Sequence, residues 1–173
     1  MQKIPTRKLT ITALLLAMNV IMSSSILSVP VPGGHMYLND VVIVLAALIL
    51  EPWYAMVVGG LGAFLGDAIF YPAPMFVSLV THGLQALLIS WFVRRVLKDK
   101  PLPSAIIAAC LGLIVTVAGY TLGRAYIYST PAYAVMKFPF QILQTAVGSA
   151  VALALYFSTP IRKIARREID SAV

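Results

Sequence analysis

Long apolar stretches, each closed by a turn-forming or basic cluster, recur along the whole chain. The first covers about residues 9–27, follows Lys3, Arg7 and Lys8, and is long enough for a helix of membrane length. The segment SVPVPGGHMY (28–37) holds two prolines and two glycines and predicts a break in helical structure. A second apolar run, about 40–50, is short for a crossing and ends at Glu51-Pro52, where the proline drives the preceding residue out of helical geometry. Further runs fall at about 53–70, 75–96, 104–123 and 138–158. They are separated by the YPAP turn (71–74), a basic segment before Pro101 and Pro103, and the aromatic, polar stretch 124–137, expected as a loop or interfacial turn. At about 20 apolar residues per spanning helix, this pattern predicts an all-α integral membrane protein, a single domain over 1–173 with six transmembrane helices.

Composition sharpens that reading. The chain is 60% hydrophobic and 11% charged, with a mean hydropathy of +0.91, whereas a soluble domain carries about a quarter charged residues. So little charge excludes an ordinary soluble enzyme, a disordered chain and a collagen-like fibre. The net charge of +7 could suggest nucleic acid, but eleven of the 13 basic residues lie in three clusters bordering apolar runs. These are Lys3, Arg7 and Lys8; Arg94, Arg95, Lys98 and Lys100; and Arg162, Lys163, Arg166 and Arg167. With six crossings, both termini and the connection after the fourth run share one side, while the opposite loops hold only Arg124 and Lys137. The positive-inside rule then puts both termini in the cytoplasm, and no nucleic-acid partner is expected. The N-terminal run exceeds a signal-peptide core and lacks a small-residue cleavage site, so it is expected to be retained. The single Cys110 supports neither a disulfide framework nor a cysteine metal site.

Polar residues inside apolar runs carry the candidate chemistry, because a polar group in hydrocarbon needs a partner or a function. Asn19 lies in the first run and Asp67 near the outer end of the third. His82 and Gln85 share one helix face, as do Gln141 and Gln144, each pair three residues apart. The outer connections add His35, Tyr37, Asn39, Asp40, Tyr71, Arg124, Tyr126 and Tyr128, with Lys137 at the edge of the last run. Donors, acceptors and aromatic faces thus gather at one end, as in a pocket for a small, partly polar ligand. Each also has a plainer use: a turn-fixing acid, helix-to-helix hydrogen bonds, or an aromatic belt. The GxxxG pairs Gly62/Gly66 and Gly119/Gly123, and Ala13 with Ala17, permit close helix contact. No motif for nucleophilic, phosphate or metal chemistry is present, so neither enzyme activity, cofactor nor metal is expected. An autonomous secondary transporter is the competing reading; it would need an internal repeat or an ion relay, for which Asp67 is the deepest acid.

Ala13-xxx-Ala17, VPGGHMYLNDVVIVLAALILEP (31–52), GGLGAFLGD (59–67) and THGLQALL (81–88) together resemble the substrate-binding S component of an energy-coupling factor (ECF) vitamin transporter, and are similar to the branch proposed for hydroxymethylpyrimidine, pyridoxine and pantothenate. The resemblance spans about 6–160. It implies a six-helix, multi-pass protein of a bacterial-type plasma membrane that binds a vitamin near the extracellular face. Its partners would be the bilayer, a transmembrane coupling subunit and two ATPases. It implies docking through Ala13 and Ala17, and a pocket drawn from His35, Tyr37, Asn39, Asp67, His82, Gln85, Arg124, Tyr128, Lys137, Gln141 and Gln144. His82 stands where related chains often have Lys. Histidine with several glutamines suits a neutral ring with hydroxyls, hence pyridoxine or hydroxymethylpyrimidine. Arg124 and Lys137 keep the anion pantothenate as an alternative.

Overall fold

The structure, a computed structural model, describes residues 6–24 and 27–163. Lys3, Arg166 and Arg167 of the terminal basic clusters, and residues 25 and 26 of the expected first run, lie outside them. Helix α1 is Thr6–Met22. A hairpin of β1 (Val29–Val31) and β2 (Gly34–Met36) follows, with Pro30 opposite His35. Its turn is Pro32-Gly33, with Gly33 at φ +82, the left-handed conformation a type II turn demands at its third position and glycine supplies without strain. Then come α2 (Asn39–Ile49) and four helical runs long and apolar enough to cross a membrane: α3 (Pro52–Phe70), α4 (Met75–Arg95), α5 (Pro101–Tyr128) and α6 (Pro131–Ser158).

Helix α2 is the axis of the bundle. Nine of its 11 residues are buried, among them Ile43, Val44, Ala46 and Ala47 at 0% exposure. A helix apolar on every side belongs inside a bundle, and protein on every side explains why so short a run is tolerated. Its last carbonyls, which have no intrahelical donors, are met by side chains from α4. Arg94 donates through Nη2 to Ile49 O (2.9 Å), and Ser90 Oγ donates to Leu50 O (2.6 Å). Arg94, counted in the sequence as one of a basic cluster, is therefore also a cap. At this same end Lys8 of α1 pairs with Glu51 at 2.7 Å.

Both GxxxG pairs face neighbours within the bundle. A Cβ on Gly62 or Gly66 would come within 2.5 and 2.4 Å of Asn19 of α1 and Ser23 just after it, and one on Gly119 or Gly123 within 2.6 and 2.5 Å of Thr81 and Val77 of α4. Asn19 has a further task. Residues Val57–Leu61 of α3 form a π-helical turn, whose wider ring loosens the usual pairing of carbonyls. Asn19 Nδ2 donates to Val58 O at 2.7 Å and to Gly59 O at 3.3 Å.

One expectation is corrected. The stretch 124–137 is not a loop: Arg124–Tyr128 continues α5 as a π-helical turn, and α6 begins at Pro131. Thr130 caps α6, accepting from Tyr133 N at 3.4 Å, and Pro131 occupies the first helical position, where its missing N–H costs nothing. The connection is only Ser129-Thr130, so Lys137 is a helical residue almost two turns in.

Candidate functional site

At the hairpin end the helices spread around a cavity of about 170 Å³. Helices α3, α4, α5 and α6 and the hairpin side all lend it polar side chains. From the hairpin side come His35, Tyr37 and Asn39. Helix α3 supplies Asp67, α4 supplies His82, α5 supplies Arg124 and Tyr128, and α6 supplies Lys137, Gln141 and Gln144. These are ten of the eleven residues singled out above for a pocket. Gln85 lies behind that wall, fully buried. Five further residues complete the lining: Ser23, Gly34, Tyr71, Pro74 and Tyr120. Tyr120 had a legible signal that the GxxxG reading masked, since it precedes Arg124 by one helical turn.

Helical periodicity explains the convergence. On α6, Lys137, Gln141, Gln144, Thr145 and Gly148 are all buried, a stripe with i, i+4, i+7 spacing that faces the hairpin, the cavity and then α2. On α4 the stripe Ser78, His82, Gln85, Ile89 changes from polar to apolar with depth.

Asp40 anchors the layer behind the cavity. It is 0% exposed and accepts from Gln85 Nε2 (3.0 Å), Gln144 Nε2 (3.1 Å) and Thr145 Oγ1 (3.4 Å). A carboxylate only accepts, so both glutamines must turn their NH2 groups to it and their oxygens away. Gln85 Oε1 then meets His82 Nδ1 at 2.7 Å, and Gln144 Oε1 accepts from Tyr37 N at 3.1 Å. Asp40, taken from the sequence as an outer-loop residue, is instead the hub joining the hairpin, α4 and α6. A second chain runs along the cavity wall: Ser78 Oγ donates to Asp67 Oδ2 and lies 2.5 Å from Tyr120 Oη. The His82 and Tyr120 rings are 5.2 Å apart, so the two chains end side by side.

The hairpin is tied down over this space. Arg124 Nη1 donates to Gly33 O at 2.8 Å and Lys137 Nζ to His35 O at 2.6 Å. Arg124 also lies over the Tyr128 ring, 5.3 Å from its centroid. Burial raises the Tyr37 pKa above its ordinary value; Asp67 and Tyr71 add to the shift and Arg124 opposes it. Tyr37 therefore faces the site as an uncharged phenol. Against these satisfied groups, three lining residues each carry one side-chain atom, Asn39 Oδ1, Tyr128 Oη and Gln141 Nε2, that is buried without a hydrogen-bond partner among the described residues. Buried polar atoms ordinarily have partners, and three unpaired ones on residues of one polar-lined cavity mark that wall as incompletely satisfied.

Ala13 and Ala17 stand apart from the cavity. They are exposed on α1 beside Leu14, Met18 and Ile21, while Thr12, Leu15 and Asn19 form the buried side of that helix.

The family model described as ECF-type riboflavin transporter, S component, matches residues 3–163. A protein of Pyrococcus woesei, described as an uncharacterized protein in the gap 3' region, is 30% identical over 131 residues, which make up 75% of this chain and 86% of that one.

Proposed function

The chain belongs to the ECF-type riboflavin transporter S-component family, and from that premise we propose that the cavity beneath the hairpin is where this multi-pass membrane protein takes up its vitamin. The observation that carries the reading is one cavity lined by His82, Asp67, Asn39, Tyr128 and Gln141, the last three each carrying a buried polar atom without a partner among the described residues. The vitamin is a one-ring molecule, pyridoxine or hydroxymethylpyrimidine. A cavity of about 170 Å³, set against roughly 300–1,000 Å³ for sites of drug-sized ligands, favours one ring over the three rings of riboflavin. Pantothenate is the second choice: it would use Arg124 and Lys137, which already donate to Gly33 and His35 carbonyls.

All six helical runs sit in the plasma membrane, with short α2 sheltered by its neighbours. The cavity faces outward and both termini lie in the cytoplasm. The basic residues at the end opposite the cavity, beside the Lys8–Glu51 pair and the Arg94 cap, support that orientation. The protein has no catalytic step of its own and works with a coupling subunit and two ATPases, docking through Ala13 and Ala17, whose small exposed side chains permit close helix approach.

The test is equilibrium binding of pyridoxine, hydroxymethylpyrimidine, pantothenate and riboflavin to the purified full-length chain. Tight binding of a one-ring vitamin is the expected result. Riboflavin binding alone contradicts the size argument, and binding of none of the four contradicts the site. For docking, Ala13→Trp is expected to abolish co-purification with the coupling subunit while leaving vitamin affinity intact; undisturbed assembly removes Ala13 from the interface.

A further inference from the structure

The direction of the hydrogen bonds behind the cavity restricts what its inner wall can offer a ligand. Two proton chains approach that wall, and each is oriented from a buried carboxylate. In the first, Asp40 fixes the NH2 of Gln85, so Gln85 Oε1 can only accept and His82 Nδ1 carries the proton between them. In the neutral form of the ring the other nitrogen, Nε2, is then a bare acceptor. The opposite amide orientation is disfavoured, because it would set an oxygen against the Asp40 carboxylate. In the second chain, Ser78 donates its one proton to Asp67. Tyr120 must therefore donate to Ser78 Oγ, and its phenol oxygen is left able only to accept. Asp67 uses one oxygen for Ser78 and has no other hydrogen-bond partner among the described residues. His82, Tyr120 and Asp67 all line the cavity.

We propose that these three residues form an acceptor-only wall, and that the site selects heteroaromatic rings presenting N–H or O–H donors to it, such as an amino- or hydroxyl-substituted edge. This rests on the vitamin-binding reading above and narrows it. An anionic or acceptor edge placed there would confront three acceptors with no proton between them. Gln85 and Ser78 are positioning residues: they touch no ligand and act by fixing the proton direction on His82 and Tyr120.

The test uses two matched pairs of probes with the wild-type full-length chain in detergent. The first is hydroxymethylpyrimidine against its counterpart with the ring amino group replaced by methyl. The second is pyridoxine against its 3-O-methyl ether. Riboflavin and pantothenate are included. The expected result is that the donor-bearing member of at least one pair binds and its partner binds roughly tenfold or more weakly, the cost of leaving buried acceptors unpaired. In Asp67→Asn, whose carboxamide can donate, that preference is expected to narrow. Equal affinity within a pair that binds overturns the donor rule but leaves the vitamin site standing. So does binding of riboflavin or pantothenate in place of both pairs. Binding of none of the probes overturns the vitamin site and the donor rule together.

Discussion

The surroundings of Asp40 and of Asp67 are built from the same kinds of residue to different ends. Asp40, at the start of α2, spends its carboxylate on Gln85, Gln144 and Thr145 and is sealed from everything else. Asp67, near the end of α3, receives Ser78 alone among the described residues and opens on the cavity. The Asp40 carboxylate and the two glutamines bound to it all have partners, so the region fixes shape. Around Asp67 acceptors are left over, and Asn39, Tyr128 and Gln141 of the same cavity lining each keep one polar atom without a partner among the described residues. Polar residues within apolar helices thus serve two purposes here: a closed network holds the helices in register, and an open one waits for a molecule. What separates them is whether the hydrogen bonds close within the protein.

The strongest way to break this contrast is Asp40→Asn. The isosteric amide turns one acceptor into a donor facing Gln144 or Gln85, so one glutamine must flip or lose its bond. Flipping Gln144 would abandon Tyr37 N and loosen the hairpin. We expect a loss of about 1–3 kcal/mol in unfolding free energy, read as a lower melting temperature in detergent, together with weaker vitamin binding. At the open site the order reverses. His82→Ala is expected to cost about 1–3 kcal/mol of binding with little change in melting temperature. Unchanged affinity would return His82 to a packing role. A smaller effect is expected from Lys137→Met, which removes the bond to His35 O. About 1 kcal/mol of hairpin closure should appear as a faster vitamin off-rate in stopped-flow measurements. Smallest of all is Tyr37→Phe: its ties to the network run through its backbone N–H, so the melting temperature should hold, and any loss confined to affinity marks the phenol as a ligand contact.

Much of this was legible in the chain, for identifiable reasons. Glu51-Pro52, Pro101 and the YPAP turn interrupt apolar runs in ways that permit few other foldings, and helical spacing put His82, Gln141 and Gln144 on inward faces. The loop expected at 124–137 failed because aromatic and polar residues were weighed above Thr130-Pro131, a cap and first-turn pair that announces a helix. The hairpin is visible only as a break, since two three-residue strands, one of them holding Pro30, carry too little alternation to be recognised. Asp40 and Gln85 are 45 residues apart, and no local pattern says that they meet; the same holds for the contact between Ser78 and Tyr120, 42 residues apart. Arg94 reads as one of a basic cluster until α2 is seen to end beside it.

The most direct test is native mass spectrometry of the purified protein with an equimolar mixture of pyridoxine, hydroxymethylpyrimidine, pantothenate and riboflavin, comparing wild type with Gln141→Phe. The variant fills the cavity from a lining position whose amide nitrogen has no partner among the described residues. The account predicts a single one-ring vitamin adduct on the wild type and its loss in the variant, with the melting temperature of the unliganded protein preserved. An adduct that survives Gln141→Phe undiminished, or a wild type that takes up none of the four, would contradict it.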